Sequence, residues 1–348
     1  MTRAVQTMRA PGSRGAVSAA VIDVLLADPD AADGPLERLR EATDGRAAAD
    51  ALLDEDLQLA LFLLYEQHYT GMDAASERWE WDSRLIAARR TLERLHESEL
   101  TARVTIPGTP EAEASAVAET LFALTTPTPG PSLARAVAAD ATADQLREFL
   151  ILRSIYTLKE ADPHSWGIPR LRGRPKAALV EVQSDEYGGG RPERVHATMF
   201  ARAMRAAGLD DAYGAYLDAV PAATLASMNT MSMFGLHRRW IGALCGHLAA
   251  FEMTSSLPSR MVAKGVRRLG FGDEVAAYFD EHVEADAVHE QVAARDLAGG
   301  LAEQQPELVE DILFGAAACL LVDGLAAEHA RLAWAEDRSA LRDATVGV

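Results

Sequence analysis

The sequence predicts an all-α protein, and three observations support that class. Apolar residues recur with a period of about 3.6 residues along most of the chain. Strand-like alternation and clusters of β-branched residues are scarce, whereas alanine, the strongest helix former, is abundant. The chain has 348 residues, 49% of them apolar, which is enough to bury a substantial core. We therefore expect helices throughout, packed as globular units.

The predicted helices follow directly from the periodic segments of the sequence. In chain order they are Asp54–Tyr69, Trp81–Leu100, Ala112–Leu124, Asp144–Lys159, Pro175–Tyr187, Glu193–Ala207, Asp211–Val220, Ser227–Glu252, Pro258–Leu269, Asp273–Ala298 and Pro306–Arg338. The loop Thr125–Pro131 carries three prolines in seven residues and is the best candidate for a domain boundary.

That boundary divides the chain into three predicted parts. Residues 1–15 lack the apolar stretch of a signal peptide, and we interpret them as a disordered tail. Residues 16–124 form a predicted N-terminal helical domain with a dimerisation or support role. Residues 131–340 form a predicted core domain, which contains the candidate functional residues described below. We expect a homodimer.

Charge and cysteine content narrow the functional classes. Lys plus Arg number 34 and Asp plus Glu number 52, so the net charge is 34 − 52 = −18. A chain this acidic is a poor partner for nucleic acid or an anionic membrane. Cys245 and Cys319 lie in apolar surroundings and are predicted to be reduced, buried thiols of a cytoplasmic protein. No apolar segment is long enough to cross a bilayer.

The most informative motif places His282, Asp286 and His289 at positions i, i+4 and i+7. At about 100° per residue these side chains fall within roughly 40° of one another on a helix. Two imidazoles and a carboxylate on one narrow stripe form a ligand set for a divalent transition metal, iron in particular. The alternative interpretation is a solvated helix face, because further acidic residues crowd the same segment.

Three other segments offer matching groups. Glu160 ends an apolar helix just before Pro163, although spacing alone favours a surface position for it. Glu186 is followed by three glycines and then His196, which suggests a helix distorted so that both side chains reach one point. Glu252 follows a long apolar stretch, and burial of a lone carboxylate is costly unless the group is paired or bound to metal.

Together these segments predict a dinuclear metal site. The candidate ligands are four carboxylates and three imidazoles: Glu160, Glu186, Glu252, Asp286, His196, His282 and His289. Four carboxylates balance the charge of two Fe(II) ions, as a desolvated pocket requires. Ligation by oxygen and nitrogen alone selects iron or manganese over zinc–thiolate chemistry, and helical bundles commonly hold such sites in their interior.

At these residues the sequence resembles the heme-oxygenase-like diiron oxidases and oxygenases. Within that family it is most similar to the N-oxygenases typified by the central domain of the streptozotocin-pathway enzyme. LKEADPH, with Glu160, matches the glutamate of the first core helix. QSDEYGGG and RVHATMF, with Glu186 and His196, match the second-helix pair. GHLAAFEMTSS, with Glu252, matches the later glutamate, and 282–289 matches the terminal His-Asp-His set.

The resemblance covers roughly residues 131–335, and the N-terminal helices also resemble the helical domain that precedes the core in these N-oxygenases. It implies a heme-oxygenase-like bundle that holds two iron ions and uses O₂ as co-substrate. It further implies an unidentified external reductant or electron donor. The implied reaction is N-hydroxylation of a small amine or guanidine-like metabolite in specialised metabolism, with nitroso and nitro as the further oxidation levels. No C-terminal cupin domain, and so no second, rearranging activity, is expected.

Other functions stay open at this point. A diiron oxidase could desaturate or cleave C–C bonds of an amino acid or fatty acid, although family members of that kind tend to carry fewer ligands. A metal-storage or cofactor-chaperone protein without turnover is a further alternative. A haem-binding relative is disfavoured by the excess of ligands, because haem needs one proximal histidine.

Several further residues have more ordinary interpretations. Glu66 and His68 are two apart on a helix and point in different directions, which indicates an interface or capping cluster. His247 is more typical of a core histidine than of a ligand. Tyr187 has either a supporting hydroxyl or a packing role. Possible substrate-cavity residues, with core packing as the alternative, are Asn229, Met231, Ser232, Phe234 and His237.

Overall fold

The structure is a computed structural model, and it describes residues 8–45, 50–106, 108–127 and 129–342. The side chains of residues 284–287 lie outside that description although their backbone is helical. The predicted ligand Asp286 therefore lies outside the described side chains, and its assignment stays a prediction.

The described residues are almost entirely helical. The first eight α-helices are α1 (Ala16–Leu25), α2 (Asp33–Thr43), α3 (Glu55–Glu66), α4 (Ser83–Arg103), α5 (Ala114–Thr125), α6 (Leu133–Ala139), α7 (Ala143–Thr157) and α8 (Asp162–Ser165). The next eight are α9 (Gly173–Glu186), α10 (His196–Ala206), α11 (Ala222–Leu236), α12 (Ile241–Met253), α13 (Ser256–Arg268), α14 (Asp273–Gln291), α15 (Gly300–Gln304) and α16 (Val309–Ala335). Among these residues the only β-type pairing is an isolated bridge between Met8 and Met72.

Helices α1 to α4 share an apolar cluster with α11 and with parts of α12 and α16. Helix α3 is buried on all sides, and Asp54 caps it by accepting a hydrogen bond from the Leu57 amide. A helix apolar all round must lie between other helices. Residues 8–15 also make contacts, since the Arg14 guanidinium donates to the Leu217 carbonyl at 2.7 Å. The proposed division at Thr125–Pro131 stays a prediction.

A buried ion pair connects α3 to the turn that follows α7. Lys159 Nζ lies 2.6 Å from Glu66 Oε2, and both side chains are almost fully buried. The Tyr213 hydroxyl donates to the same carboxylate oxygen at 2.9 Å. Because Lys159 directly precedes Glu160, this pair fixes the backbone at a candidate metal ligand.

Close packing of α12 against α16 depends on small residues. A side chain on Gly246 would collide with the Ile312 carbonyl, and one on Gly315 would collide with the Ala243 carbonyl. Glycine at both positions lets the two backbones approach, as is typical of tight helix pairs. The packing sets the position of Glu252 at the end of α12. Within the described ranges, no helix is both long and apolar enough to span a membrane.

Two predicted helices are wrong. The segment Asp211–Val220 holds only a short 3₁₀ turn, Leu217–Ala219, because Gly214 adopts a positive φ of 74°. The segment Ser227–Glu252 is two helices, α11 and α12, rather than one. Arg170 donates to the carbonyls of Gly235 and Leu236, which replaces the helical hydrogen bonds at the end of α11.

Candidate metal centre

The structure brings six of the seven predicted ligands together in two overlapping groups. Glu160, Glu186, His196 and His282 form the first group, and Glu186 joins Glu252 and His289 in the second. Within each group, one potential ligand atom of every residue lies within 4.8 Å of the others, and all of these residues are buried. Glu186 belongs to both groups, so the two groups adjoin each other.

Glu160 is positioned by the end of α7 and by a tyrosine of α14. The chain turns sharply after it, since Ala161 has a positive φ of 76°. The Tyr278 hydroxyl donates to both carboxylate oxygens of Glu160, at 3.0 and 2.9 Å. His282 Nε2 lies 3.7 Å from Glu160 Oε1. A carboxylate held in this way presents its remaining lone pairs to one point.

The glycines after α9 bring Glu186 and His196 into contact. Glu186 is the last residue of α9 and His196 the first of α10. Gly188 has a positive φ of 70°, and a side chain there would lie 2.7 Å from backbone atoms of Arg194 and Val195. The connection therefore folds back on itself, and His196 Nδ1 comes within 3.0 Å of Glu186 Oε2. The predicted role of the three glycines agrees with this geometry.

Hydrogen bonds fix the orientation of both histidines on α14. His282 Nδ1 donates to the Tyr278 carbonyl at 2.8 Å, so the proton is on Nδ1 and the Nε2 lone pair faces Glu160. His289 Nε2 donates to Asp185 Oδ2 at 3.0 Å, while its Nδ1 lies 3.4 Å from Glu252 Oε2. Each imidazole thus directs one nitrogen into the cluster, and metal-ligating histidines are oriented in the same way.

Burial and mutual charge shift the pKa values of these groups. Burial raises the pKa of Glu186, and the neighbouring Glu160 and Glu252 raise it further. Burial also opposes ionisation of Glu160, but His282, His196 and Arg153 outweigh it and lower its pKa. Burial lowers the pKa of His289, yet Glu252 and Asp185 raise it to about 9. The cluster therefore holds concentrated negative charge, which attracts cations.

These residues fit a bound metal ion. Glu186 Oε2 and His196 Nδ1 are buried and lie 3.0 Å apart, but this contact lacks hydrogen-bond geometry, and neither atom has a hydrogen-bond partner within the described part of the chain. Buried polar atoms are rarely left without a partner, and a metal ion would satisfy both. Two ligands of one ion lie at most about 4.2 Å apart, since each bond is about 2.1 Å long. The His196 Nδ1–Glu186 Oε2 distance of 3.0 Å and the His282 Nε2–Glu160 Oε1 distance of 3.7 Å are within this limit, and the donor set of carboxylates and imidazoles suits iron.

Other residues considered in the sequence lie outside the two groups. His247 is buried in the core, 3.1 Å from His164 Nε2 through its Nδ1. His68 lies against Arg89, in the helices before Thr125. Tyr187 donates to Asp162 at 2.8 Å. The remaining candidates are bonded elsewhere or packed in the core: Asn229, Met231, Ser232, Phe234 and His237.

Sequence reasoning missed two supporting residues. Asp185, beside Glu186, accepts the hydrogen bond from His289 across 104 positions of sequence. Tyr278, one turn before His282, holds both Glu160 and His282 through its hydroxyl and its carbonyl. Their position next to predicted ligands was a signal, because the partners that orient metal ligands often lie one residue or one turn away.

The fold and the site define an all-α protein with a buried carboxylate–histidine metal centre. A profile of the family described as iron-containing redox enzymes matches residues 147–324, just over half of the chain. This chain belongs to that family of iron-containing redox enzymes, which confirms the predicted heme-oxygenase-like, all-α class. It is therefore an iron-binding oxidoreductase.

Two individual proteins are similar to it. Nitrosourea synthase from Streptomyces achromogenes subsp. streptozoticus is 28% identical over 165 residues, which is 44% of this chain and 34% of that protein. The chain thus matches only about a third of the length of that relative. The crystal structure of a CADD-like protein of unknown function from Nostoc punctiforme covers 61% of this chain and 94% of its own, with 17% identity and a TM-score of 0.48.

Proposed function

We propose that this protein is a non-heme diiron monooxygenase that oxidises the nitrogen of a small amine or guanidine-like metabolite. The observation that carries the proposal is Glu186, which belongs to both ligand groups and would contribute its carboxylate to both metal positions. Two bound irons would supply the electrons and the binding site for activation of O₂, with replenishment by an external donor. The substrate and the electron donor are part of this proposal.

The chain's own residues would hold and shape the centre. Glu160, His196 and His282 would complete one position around Glu186, and Glu252 and His289 the other, with Asp286 as a seventh candidate. Tyr278 orients Glu160 and His282. Phe200 packs edge-on against the Tyr278 ring, with centroids 5.0 Å apart, and helps to exclude water from that side.

Support for nitrogen as the reacting atom comes from the similarity to nitrosourea synthase and from the full ligand pattern. The net charge of −18 agrees with a cationic amine, since the summed field of an acidic protein favours cations. A net charge describes the whole molecule rather than one pocket, so the relative named above is the stronger support.

Iron stoichiometry tests the dinuclear centre. The protein is reconstituted anaerobically with Fe(II), excess metal is removed, and iron per chain is measured by elemental analysis. We expect a plateau at about two irons per chain, since the two adjoining groups provide two positions. A plateau at about one iron would contradict the dinuclear proposal.

Oxygen labelling tests the reaction. The iron-loaded protein is exposed to ¹⁸O₂ with amines, amino acids and amino-heterocycles, and the products are analysed by mass spectrometry. Labelled oxygen on nitrogen is the expected result. Alkene or aldehyde products with an unlabelled nitrogen would instead indicate the alternative, a diiron oxidase that desaturates or cleaves C–C bonds.

A further inference from the structure

A cleft in the structure is lined by α7, the end of α12, α13, α14 and α16. Its volume is about 70 Å³. One water molecule needs only ~10–15 Å³ by the same measure, so the cleft has room for a small organic group. Two of its walls are formed by Phe251, next to Glu252, and by Phe279, next to Tyr278. The cleft therefore borders the segments that carry the candidate ligands.

Arg153 is the cationic group of this cleft. It lies on α7, seven residues before Glu160 and half-buried. Its guanidinium lies over the Tyr156 ring, 5.9 Å from the centroid. Within the described residues, no hydrogen bond or ion pair to the guanidinium is found, and Tyr278, Glu160 and Asp323 interact with it electrostatically. Arginines withdrawn from water are usually paired, because an unpaired buried charge is costly. Five N–H donors in a planar fork are thus available to a ligand.

Asp323 supplies the opposite charge to the same cleft. The Ser227 hydroxyl donates to Asp323 Oδ1 at 2.6 Å, which holds the carboxylate in place. Asp323 interacts electrostatically with Arg153, but among the described contacts the two do not form an ion pair. The cleft therefore presents a cation and an anion that do not form an ion pair with each other among the described contacts. That arrangement complements a molecule that carries both charges itself.

The shape of the cleft limits the ligand further. The rings of Phe149, Phe251 and Phe279 form apolar walls, and the charged groups come from α7 and α16. Pockets for large ligands occupy roughly 300–1,000 Å³, so a long acyl chain does not suit this one. A small amino-carboxylate does, with its carboxylate on the guanidinium and its ammonium group on Asp323.

We propose that Arg153 determines substrate specificity by binding the carboxylate of an amino-carboxylate substrate, with Asp323 as the partner of its ammonium group. This proposal rests on the proposed function, in that the ligand of the cleft is the molecule oxidised at the metal centre. It narrows the substrate class from amines in general to amines that also carry a carboxylate.

Matched pairs of amino acids and their decarboxylated amines provide the test. L-lysine with cadaverine, L-arginine with agmatine, L-histidine with histamine and L-tryptophan with tryptamine are titrated calorimetrically into iron-loaded protein under anaerobic conditions. We expect at least one amino acid to bind about 10-fold or more tightly than its amine, as one charge-assisted contact provides. Binding of no amino acid, or equal binding within every pair, would overturn the proposal.

Variants then assign the effect to the two residues. In the pair whose amino acid binds more tightly than its amine, Arg153→Met should bring the ratio of the two affinities close to one. Arg153→Lys should retain part of that ratio because the positive charge remains. Asp323→Asn should weaken both members and leave their ratio unchanged. Arg147→Met is the matched control, since Arg147 lies on the same helix outside the cleft. A ratio that persists in Arg153→Met, or that falls equally in Arg147→Met, contradicts the role of Arg153.

Two checks keep this result separate from the proposed function. Iron content and thermal midpoint show whether Arg153→Met is folded. If it is not folded, Arg153→Lys replaces it in the test. The proposal is then overturned if Arg153→Lys leaves the affinity ratio undiminished and Asp323→Asn weakens the binding of neither member of the pair. Because binding is measured without O₂, Arg153-dependent carboxylate binding combined with unlabelled nitrogen would refute N-oxygenation only. If amines that lack a carboxylate acquire labelled oxygen on nitrogen, and Arg153→Met does not change that labelling, only the proposed role of Arg153 would be refuted.

Discussion

The protein contains two buried polar regions, which compensate for the loss of water around their polar groups in different ways. The first, here called the Gln58 network, consists of Gln58, His96, Asn229 and Thr230. His96 Nδ1 accepts from Gln58 Nε2 at 3.0 Å, and His96 Nε2 donates to Thr230 Oγ1 at 2.9 Å. Asn229 Nδ2 donates to the Gln58 carbonyl and side chain. Both imidazole nitrogens are satisfied without any charge.

The metal centre contrasts with the Gln58 network in charge. It concentrates three buried glutamates, and Glu186 Oε2 and His196 Nδ1 lack hydrogen bonds within the described residues. A neutral network, in which Asn229 Oδ1 is the one side-chain atom without a partner among the described residues, stabilises the fold by itself, whereas a charged cluster needs a ligand to offset the cost of burial. The comparison predicts that changes in the first region affect folding and that changes in the second affect metal binding.

The largest expected effect is that of Glu186→Ala. Because Glu186 belongs to both ligand groups, its loss should reduce iron binding at both positions and lower turnover at least about 100-fold. Glu252→Ala and His289→Ala should each abolish turnover but remove iron mainly from one position. Helical circular dichroism should stay nearly unchanged in all three. Iron per chain, measured by elemental analysis, separates these outcomes.

Glu181→Ala is the matched control for that experiment. Glu181 lies on α9 with Glu186 but is exposed, and it belongs to neither ligand group. It should keep full iron content and turnover. If Glu181→Ala lost iron as Glu186→Ala does, a general weakening of α9 rather than loss of a ligand would be the cause.

The Gln58 network should respond in the opposite way. His96→Ala removes two hydrogen bonds and leaves a cavity, which should lower the free energy of unfolding by about 2–4 kcal/mol. Iron content should stay at that of the unmodified protein, because His96 contacts neither ligand group. Urea unfolding and elemental analysis measure the two quantities. Thr101→Ala, at an exposed position of the same helix, is the control and should change the free energy of unfolding by at most about 0.5 kcal/mol. Loss of iron in His96→Ala would contradict the separation of the two regions.

The sequence was sufficient for features that depend on local geometry. The all-α class follows from periodicity, and the glycines at 188–190 indicated that Glu186 and His196 converge. Contacts between distant segments were not predictable. The break after Leu236 depends on Arg170, which is 66 positions away, and the partner of His289 is Asp185, 104 positions away. Such contacts are set by tertiary packing, which a single sequence pattern does not encode.

A smaller effect concerns pH and also originates in the Gln58 network. Burial lowers the pKa of His96 to about 4, although Glu93 and Glu97 on its own helix oppose the shift. Its neighbours from α3 and α11, Gln58 and Thr230, are uncharged. Since the pKa in the folded state is below the unfolded value of about 6.5, the stabilisation is complete above about pH 6.5 and is lost as pH falls toward 4.

Between about pH 7 and pH 5 this histidine should account for a loss of about 2 kcal/mol in the free energy of unfolding. The measurement is urea unfolding of metal-free protein at both pH values, for the unmodified chain and for His96→Gln. The variant lacks the titrating group, so its stability should fall less by about that amount. An equal decline in both proteins would show that His96 does not contribute.

The smallest expected effect is that of His68→Ala. His68 is buried, with its Nε2 against Arg89, its Nδ1 3.6 Å from Glu80 Oε1 and its ring 4.8 Å from that of Trp81. Arg89 keeps Glu93 as a partner at 3.3 Å after the change, so the loss of stability should be only about 1 kcal/mol. Iron content should be unchanged and turnover within about 2-fold, because His68 lies in neither ligand group. The informative comparison is with His289→Ala, assayed side by side for iron and O₂ consumption. An inactive His68→Ala together with an active His289→Ala would reverse the assignment of the catalytic region.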